Sequence, residues 1–136
     1  MPRPRARVPV VATQQFFRRL VDNAQDVVYR YRVLPTRGYD YINAACLPIL
    51  GHTQEEFYRD PDLACRCAHP DDRSLVAQSF AGDPRQLPRA IQIRWVHPDG
   101  RIVCADHRRV PILDRRGRLI AIEGVGRDVT ESLDTQ

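Results

Sequence analysis

Two turn signals in the last third of the chain separate three runs of alternating apolar residues, and this pattern constrains the fold more than any other feature. Ile91, Ile93 and Trp95 alternate with Gln92 and Arg94 as far as His97-Pro98-Asp99-Gly100, where Asp-Gly is a strong hairpin signal. A long run follows, with Ile102, Cys104, Asp106, Arg108 and Val110 on one face and Val103, Ala105, His107 and Arg109 on the other. A second turn, Asp114-Arg115-Arg116-Gly117, opens the final run from Leu119 to Val129. Period-two runs broken by such turns predict an antiparallel meander. One face of a meander must be buried, so the rest of the chain has to cover it.

Upstream, Val27, Tyr29, Tyr31 and Val33 alternate with Val28, Arg30 and Arg32, which predicts a strand. A turn at Pro35-Thr36-Arg37-Gly38 leads to a short strand from Tyr39 to Ile42. A stretch of short helices comes next. Asn43 is expected to cap the first of them and Gly51 to stop it. Thr53-Gln54-Glu55-Glu56 is a capping box. His69-Pro70-Asp71-Asp72-Arg73 opens a further helix, with Pro70 in the first turn and both aspartates facing the positive end of the dipole. Leu75, Val76, Ser79 and Phe80 form its inner stripe, and Gly82 is expected to end it.

Residues 1–12 hold three prolines and three arginines without periodicity and read as an arm or linker. A helix is expected from Thr13, where Phe16, Phe17, Leu20, Val21 and Ala24 recur at helical spacing. Its apolar face would cover the domain's own core or contact a second copy. The pattern specifies an α+β domain built on one antiparallel sheet.

At 136 residues the chain suits one domain. With 43% hydrophobic and 28% charged residues, wholesale disorder is excluded. No apolar run approaches the roughly 18 residues of a membrane span. The start, Met-Pro-Arg-Pro-Arg-Ala-Arg, is basic but is followed by no long apolar stretch, so no secretory signal is expected and a cytoplasmic location is. All 21 basic residues are arginine, and they are scattered along the chain. This looks like codon bias rather than a phosphate-binding face. The net charge of +4 is therefore read as a solubility contribution, and no nucleic-acid partner is expected.

Residue clusters that could carry chemistry have simpler explanations. Cys65-Arg66-Cys67-Ala68-His69 lacks the second ligand pair of a structural zinc site, so no metal is expected. Four cysteines in a cytoplasmic chain imply no disulfides. Asp71-Asp72 is accounted for by capping and the helix dipole. Asp106 and His107 are strand neighbours and face opposite ways. Ser74 and Ser79 have no histidine at a supporting spacing. Gly124-x-Gly126 lies in a strand and lacks both the third glycine and the helix of a phosphate loop. No catalytic constellation is found, and an enzyme is not expected.

Five segments in order resemble the PAS sensory domain, in the subgroup joined to bacterial histidine kinases and cyclic-dinucleotide enzymes. They are Val28-Tyr29-Arg30-Tyr31-Arg32, Gly51-His52-Thr53-Gln54-Glu55-Glu56-Phe57, His69-Pro70-Asp71-Asp72-Arg73, the Asp99-Gly100 hairpin, and Glu123-Gly124-Val125-Gly126-Arg127-Asp128-Val129-Thr130-Glu131. The resemblance implies the PAS fold: a five-stranded antiparallel sheet with short helices on one face and an N-terminal helix. It places the domain at 13–131, with 132–136 as the start of a C-terminal linker. It also implies a non-catalytic input module that senses a ligand or partner and relays the change to an effector. In the family, the closing Asp-x-Thr, here Asp128 and Thr130, links the last strand to an outgoing helix. The chain runs only six residues past Thr130, so it is expected either to be part of a longer protein or to dock onto one.

The departures from the family bear on what is sensed. Ala64 stands where relatives commonly carry a large aromatic, Cys104 where they carry tryptophan, and His52 where Tyr or Phe is usual. Repacking or an enlarged cavity holding an apolar or aromatic molecule would fill such space. The candidate pocket residues are Tyr29, Phe57, Val76, Phe80, Ile93, Cys104 and Ile122, and the candidate relay residues are Asp128 and Thr130. Cys65-Arg66 shares a dipeptide with the flavin-reactive segment of light-oxygen-voltage relatives. Its flanking residues differ, and the last two strands lack the Asn and Gln that hold the flavin ring. The helix from Asp71 to Phe80 has no histidine for haem. No cofactor is therefore expected. A homodimer is expected, with an unknown small molecule or an effector domain as partner. The alternative is a ligand-free PAS module for dimerisation or docking.

Overall fold

The computed structural model describes Val21, residues 24–81 and residues 87–131. Five strands, β1 (Val27–Arg32), β2 (Gly38–Ile42), β3 (Ala90–Val96), β4 (Ile102–Leu113) and β5 (Leu119–Asp128), form one sheet in the order β2-β1-β5-β4-β3. Every neighbouring pair is antiparallel. The last strand thus lies in the middle of the sheet, between β1 and β4. The expected arm at 1–12, most of the expected helix from Thr13, and the stop at Gly82 lie outside the described residues.

The meander forms because its turns have the residues they need. Gly100 and Gly117 both take positive φ, at 95° and 79°. The β3–β4 hairpin closes with His97 N–H donating to the Arg101 carbonyl at 3.0 Å. At the β4–β5 turn, the Asp114 carboxylate accepts from the backbone N–H groups of Arg116 and Arg118, each at 2.9 Å.

Between β2 and β3 the chain folds over one face of the sheet as α1 (Cys46–Leu50), α2 (Gln54–Arg59), α3 (Leu63–Cys67), a 3-10 turn at Pro70–Asp72, and α4 (Arg73–Ala81). The capping box at Thr53 and Glu56 is formed. Gly51 ends α1 in the left-handed region, and a Cβ there would come within 2.3 Å of Pro98. The core lies between these helices and the sheet. Ile42, Cys46, Phe57, Ala68, Val103 and Ala105 are almost wholly buried there. Each large apolar side chain so buried contributes roughly 1.5–3 kcal/mol.

Two polar residues act differently from their sequence reading. Asn43 caps no helix; α1 starts after Ala45. Asn43 is fully buried, accepting from Val28 N–H and donating to the carbonyls of Val21 and Asp26, all at 2.8 Å. An amide with both donors and its acceptor engaged fixes the entry to β1 more firmly than a cap would. Asp72 reaches across to β3 instead of only serving its helix start. Its carboxylate accepts from Arg94 through the backbone N–H at 2.9 Å and the guanidinium at 2.9 and 3.0 Å. Chiefly through that guanidinium contact, the Asp72 pKa is lowered to about 2. With His69 N–H donating to the Arg94 carbonyl at 2.9 Å, the 3-10 turn is fastened to the sheet edge.

Candidate functional site

The inward face of the sheet is assembled in rows. Tyr29 on β1 and Arg109 on β4 both pair with Gly124 of β5, and Val27 and His107 both pair with Gly126. The central strand therefore offers two residues without side chains, and the larger neighbours lean over them. A Cβ on Gly124 would lie 2.5 Å from the Tyr29 hydroxyl, and one on Gly126 would lie 2.9 Å from His107 Cε1. Between this floor and the helices is a cavity of about 60 Å³. Its walls include Phe57 of α2, Ala64 of α3, Val76 and Ser79 of α4, Ile93 and Trp95 of β3, and Ala105, His107 and Arg109 of β4.

Of the seven pocket candidates, Tyr29, Phe57, Val76, Ile93 and Ile122 line this cavity. Phe80 belongs to α4, but its side chain lies outside the described residues. Cys104 must be corrected. It stands half-buried on the opposite face of the sheet, while Val103, Ala105, His107 and Arg109 point inward. The tryptophan that relatives carry at this position drew Cys104 into the pocket, and with two polar side chains on each face of the run periodicity alone does not choose between them. The hairpin register carried the signal that would have corrected it: counting outward from the turn pairs Trp95 with Val103, Ile93 with Ala105 and Ile91 with His107. Ala64 does border the cavity, as a small residue would. His52 packs edge-on against Phe57 at 6.1 Å and holds Glu56 at 2.9 Å.

Sequence reasoning missed the polar end of the cavity. Trp95 Nε1–H donates to His107 Nε2 at 3.0 Å in a buried bond. Indole nitrogen only donates, so Nε2 must be the bare nitrogen, and the neutral ring carries its proton on Nδ1. That Nδ1 is buried and has no hydrogen-bond partner among the described residues. Burial chiefly, then the Arg109 charge, lowers the His107 pKa to about 4, so the ring is neutral near pH 7. Arg109 is only 5% exposed. It donates to Ser79 Oγ at 2.6 Å and to the Pro88 carbonyl at 3.1 and 3.3 Å, while Ser79 donates onward to the Leu75 carbonyl at 3.0 Å. Burial pulls the Arg109 pKa down. Burial pushes the Tyr29 phenol up to about 12, with Arg109 opposing.

The end of β5 is tied to the outer edge of this same strand β4. Thr130 Oγ1 accepts from Cys104 N–H at 3.0 Å and donates to Asp128 Oδ1 at 2.6 Å. Asp128 Oδ1 also accepts from Thr130 N–H at 3.0 Å, and Val129 N–H donates to the Cys104 carbonyl at 2.9 Å. Of the two relay candidates, Thr130 therefore bonds Cys104 directly, one residue from cavity-lining Ala105, and Asp128 reaches it only through Thr130.

The cysteine cluster does not converge on a ligand geometry. Cys67 is buried, which pushes its thiol up to about 11, while Cys65 is half-buried. Among the described residues no three His, Cys, Asp or Glu side chains come together as a metal site. No described helix is long and apolar enough to cross a membrane.

Comparison with solved structures returns the same architecture. An RNA-binding light-oxygen-voltage receptor superposes with a TM-score of 0.68 at 20% identity, over 98% of this chain but only 38% of that one. This chain thus spans well under half of that receptor. The N-terminal domain of a diguanylate cyclase with a PAS/PAC sensor from Marinobacter aquaeolei gives 0.64 at 21% identity, covering 82% of this chain and 99% of that one. A sensory box histidine kinase/response regulator from Burkholderia thailandensis gives 0.65 at 19% identity, covering 88% of each. No curated protein matches the sequence. The family model for the PAS fold matches residues 39–126, from β2 through the glycine pair of β5, and the chain belongs to the PAS family.

Proposed function

We propose that this PAS domain is the sensory input module of a cytoplasmic signal-transduction protein. It binds a small molecule in the inner-face cavity and relays the change to an effector, a histidine kinase or a cyclic-dinucleotide enzyme. The observation that carries this reading is the physical continuity of β4. Its inward side chains line the cavity, and its Cys104 backbone holds Val129 and Thr130 at the exit of β5, with Asp128 bonded in turn to Thr130. A ligand that displaces Ala105 or His107 must strain the strand that grips the exit. The superposed diguanylate cyclase and histidine kinase domains support the effector classes. The proposed unit is 13–131, with 1–12 an arm and 132–136 the start of an outgoing linker.

The proposed ligand is smaller than a flavin. The cavity of about 60 Å³ is far below the roughly 300 Å³ at which drug-sized ligand pockets begin. β4 and β5 also contain no Asn or Gln to hold the ring edge.

A second reading, a ligand-free module for homodimerisation or docking, is favoured by the outer face of the sheet. Ile102, Val110 and Val125 are all about 40% exposed there. Native mass spectrometry of the purified protein, with sedimentation over a range of concentrations, separates the two. A co-purifying or titratable small molecule supports the sensor. An empty cavity that accepts nothing, together with a concentration-dependent dimer, supports the docking module and overturns the sensor.

A further inference from the structure

The cavity has an uncompensated positive end. Among the described residues Arg109 meets no carboxylate; its acceptors are one hydroxyl and one carbonyl, which engage three of its five N–H donors. A buried guanidinium without a counter-charge is costly unless something anionic joins it. Two residues along the same strand face, His107, only 8% exposed, presents an Nδ1–H that has no partner among the described residues. Alternate residues on one strand face stand roughly 7 Å apart, a gap that one planar anionic group can bridge. Tyr29 borders the same row across Gly124, and its phenol keeps its proton. The remaining wall is apolar, formed by Val76, Ile93, Ala105 and Ile122 among others. Both glycines are needed for this geometry, because a side chain at either would displace Tyr29 or His107.

Building on the sensor reading, we propose that the cavity takes a short monocarboxylate, its carboxylate accepting from Arg109 and His107 Nδ1–H and its alkyl part lying against the apolar wall. The carboxylate supplies the missing charge and occupies the orphan donor in one step. The small volume limits the alkyl part to a few carbons.

The test is a titration of the protein, followed by backbone-amide NMR, with butyrate and with its neutral isostere butyramide. It is repeated on Arg109→Met and Arg109→Gln. Butyrate is expected to give saturable shifts at Ala105 and His107. It should bind roughly ten- to a hundred-fold more weakly to either variant, while butyramide changes little. Equal binding of both compounds, unaffected by the variants, would overturn the carboxylate assignment and leave the sensor cavity standing. Binding of neither would overturn the carboxylate assignment too, while native mass spectrometry and sedimentation decide the sensor reading separately. Should Arg109→Met fail to fold, Arg109→Gln and the wild-type preference for butyrate over butyramide decide the matter.

Discussion

The imidazole of His107 lies directly over Gly126 of the neighbouring strand, so closely that a methyl group at Gly126 would sit 2.9 Å from Cε1 and 3.1 Å from Nδ1. The ring is also fixed from the far side by the Trp95 indole at 3.0 Å.

Gly126→Ala should therefore push the ring off its seat and break the Trp95 bond, at a cost of roughly 1–3 kcal/mol. Trp95 is the chain's only tryptophan, so its fluorescence reports the local change and a urea melt reports the stability. An unchanged emission spectrum with unchanged stability would contradict the packing described.

Stability should depend on pH through His107. Its pKa is about 4 when folded against an ordinary 6.5, so the unfolded chain binds the proton more readily. The resulting stabilisation is complete above pH 6.5 and is lost as the pH falls towards 4, a change on the order of 3 kcal/mol. Asp72, lowered from 3.8 to about 2, has the opposite sign of charge and gives up its contribution only below about pH 3.8. Urea midpoints between pH 4 and 7 should slope for the wild type and flatten for His107→Gln.

Thr130→Val removes the acceptor for Cys104 N–H while keeping the shape of the side chain. A loss of about 1 kcal/mol is expected. Faster hydrogen exchange at the Cys104 amide should accompany it, and Thr130→Ser should restore both.

Cys104→Trp tests the corrected face. Because this side chain stands on the outer face of the sheet, the substitution should change stability by less than about 1 kcal/mol. It should also leave butyrate binding as it was. Loss of binding would return Cys104 to the cavity.

The fold was legible because its signals are local and redundant: the Asp99-Gly100 and Asp114–Gly117 turns, the Thr53 capping box, and period-two runs that match β3, β4 and β5. Five of the seven pocket candidates line the cavity because apolar residues on a buried face announce themselves. The polar end was hidden for the converse reason. His107 and Arg109 on one face are matched by Asp106 and Arg108 on the other, and pairing through the hairpin, with Ile91 opposite His107, shows which pair is inside. Asn43 and Asp72 misled similarly. A short polar residue beside a helix reads as a cap, and its long-range partners Val28 and Arg94 have no local signature.

Coupling between the cavity and the exit of β5 is read most directly by backbone-amide NMR under xenon pressure, since xenon enters small apolar cavities whatever the natural ligand. Saturable shifts are expected at Ala105 and His107, and with the same saturation curve at Cys104, Val129 and Thr130. Shifts that stop at the cavity wall and leave those three amides unmoved would contradict relay through β4.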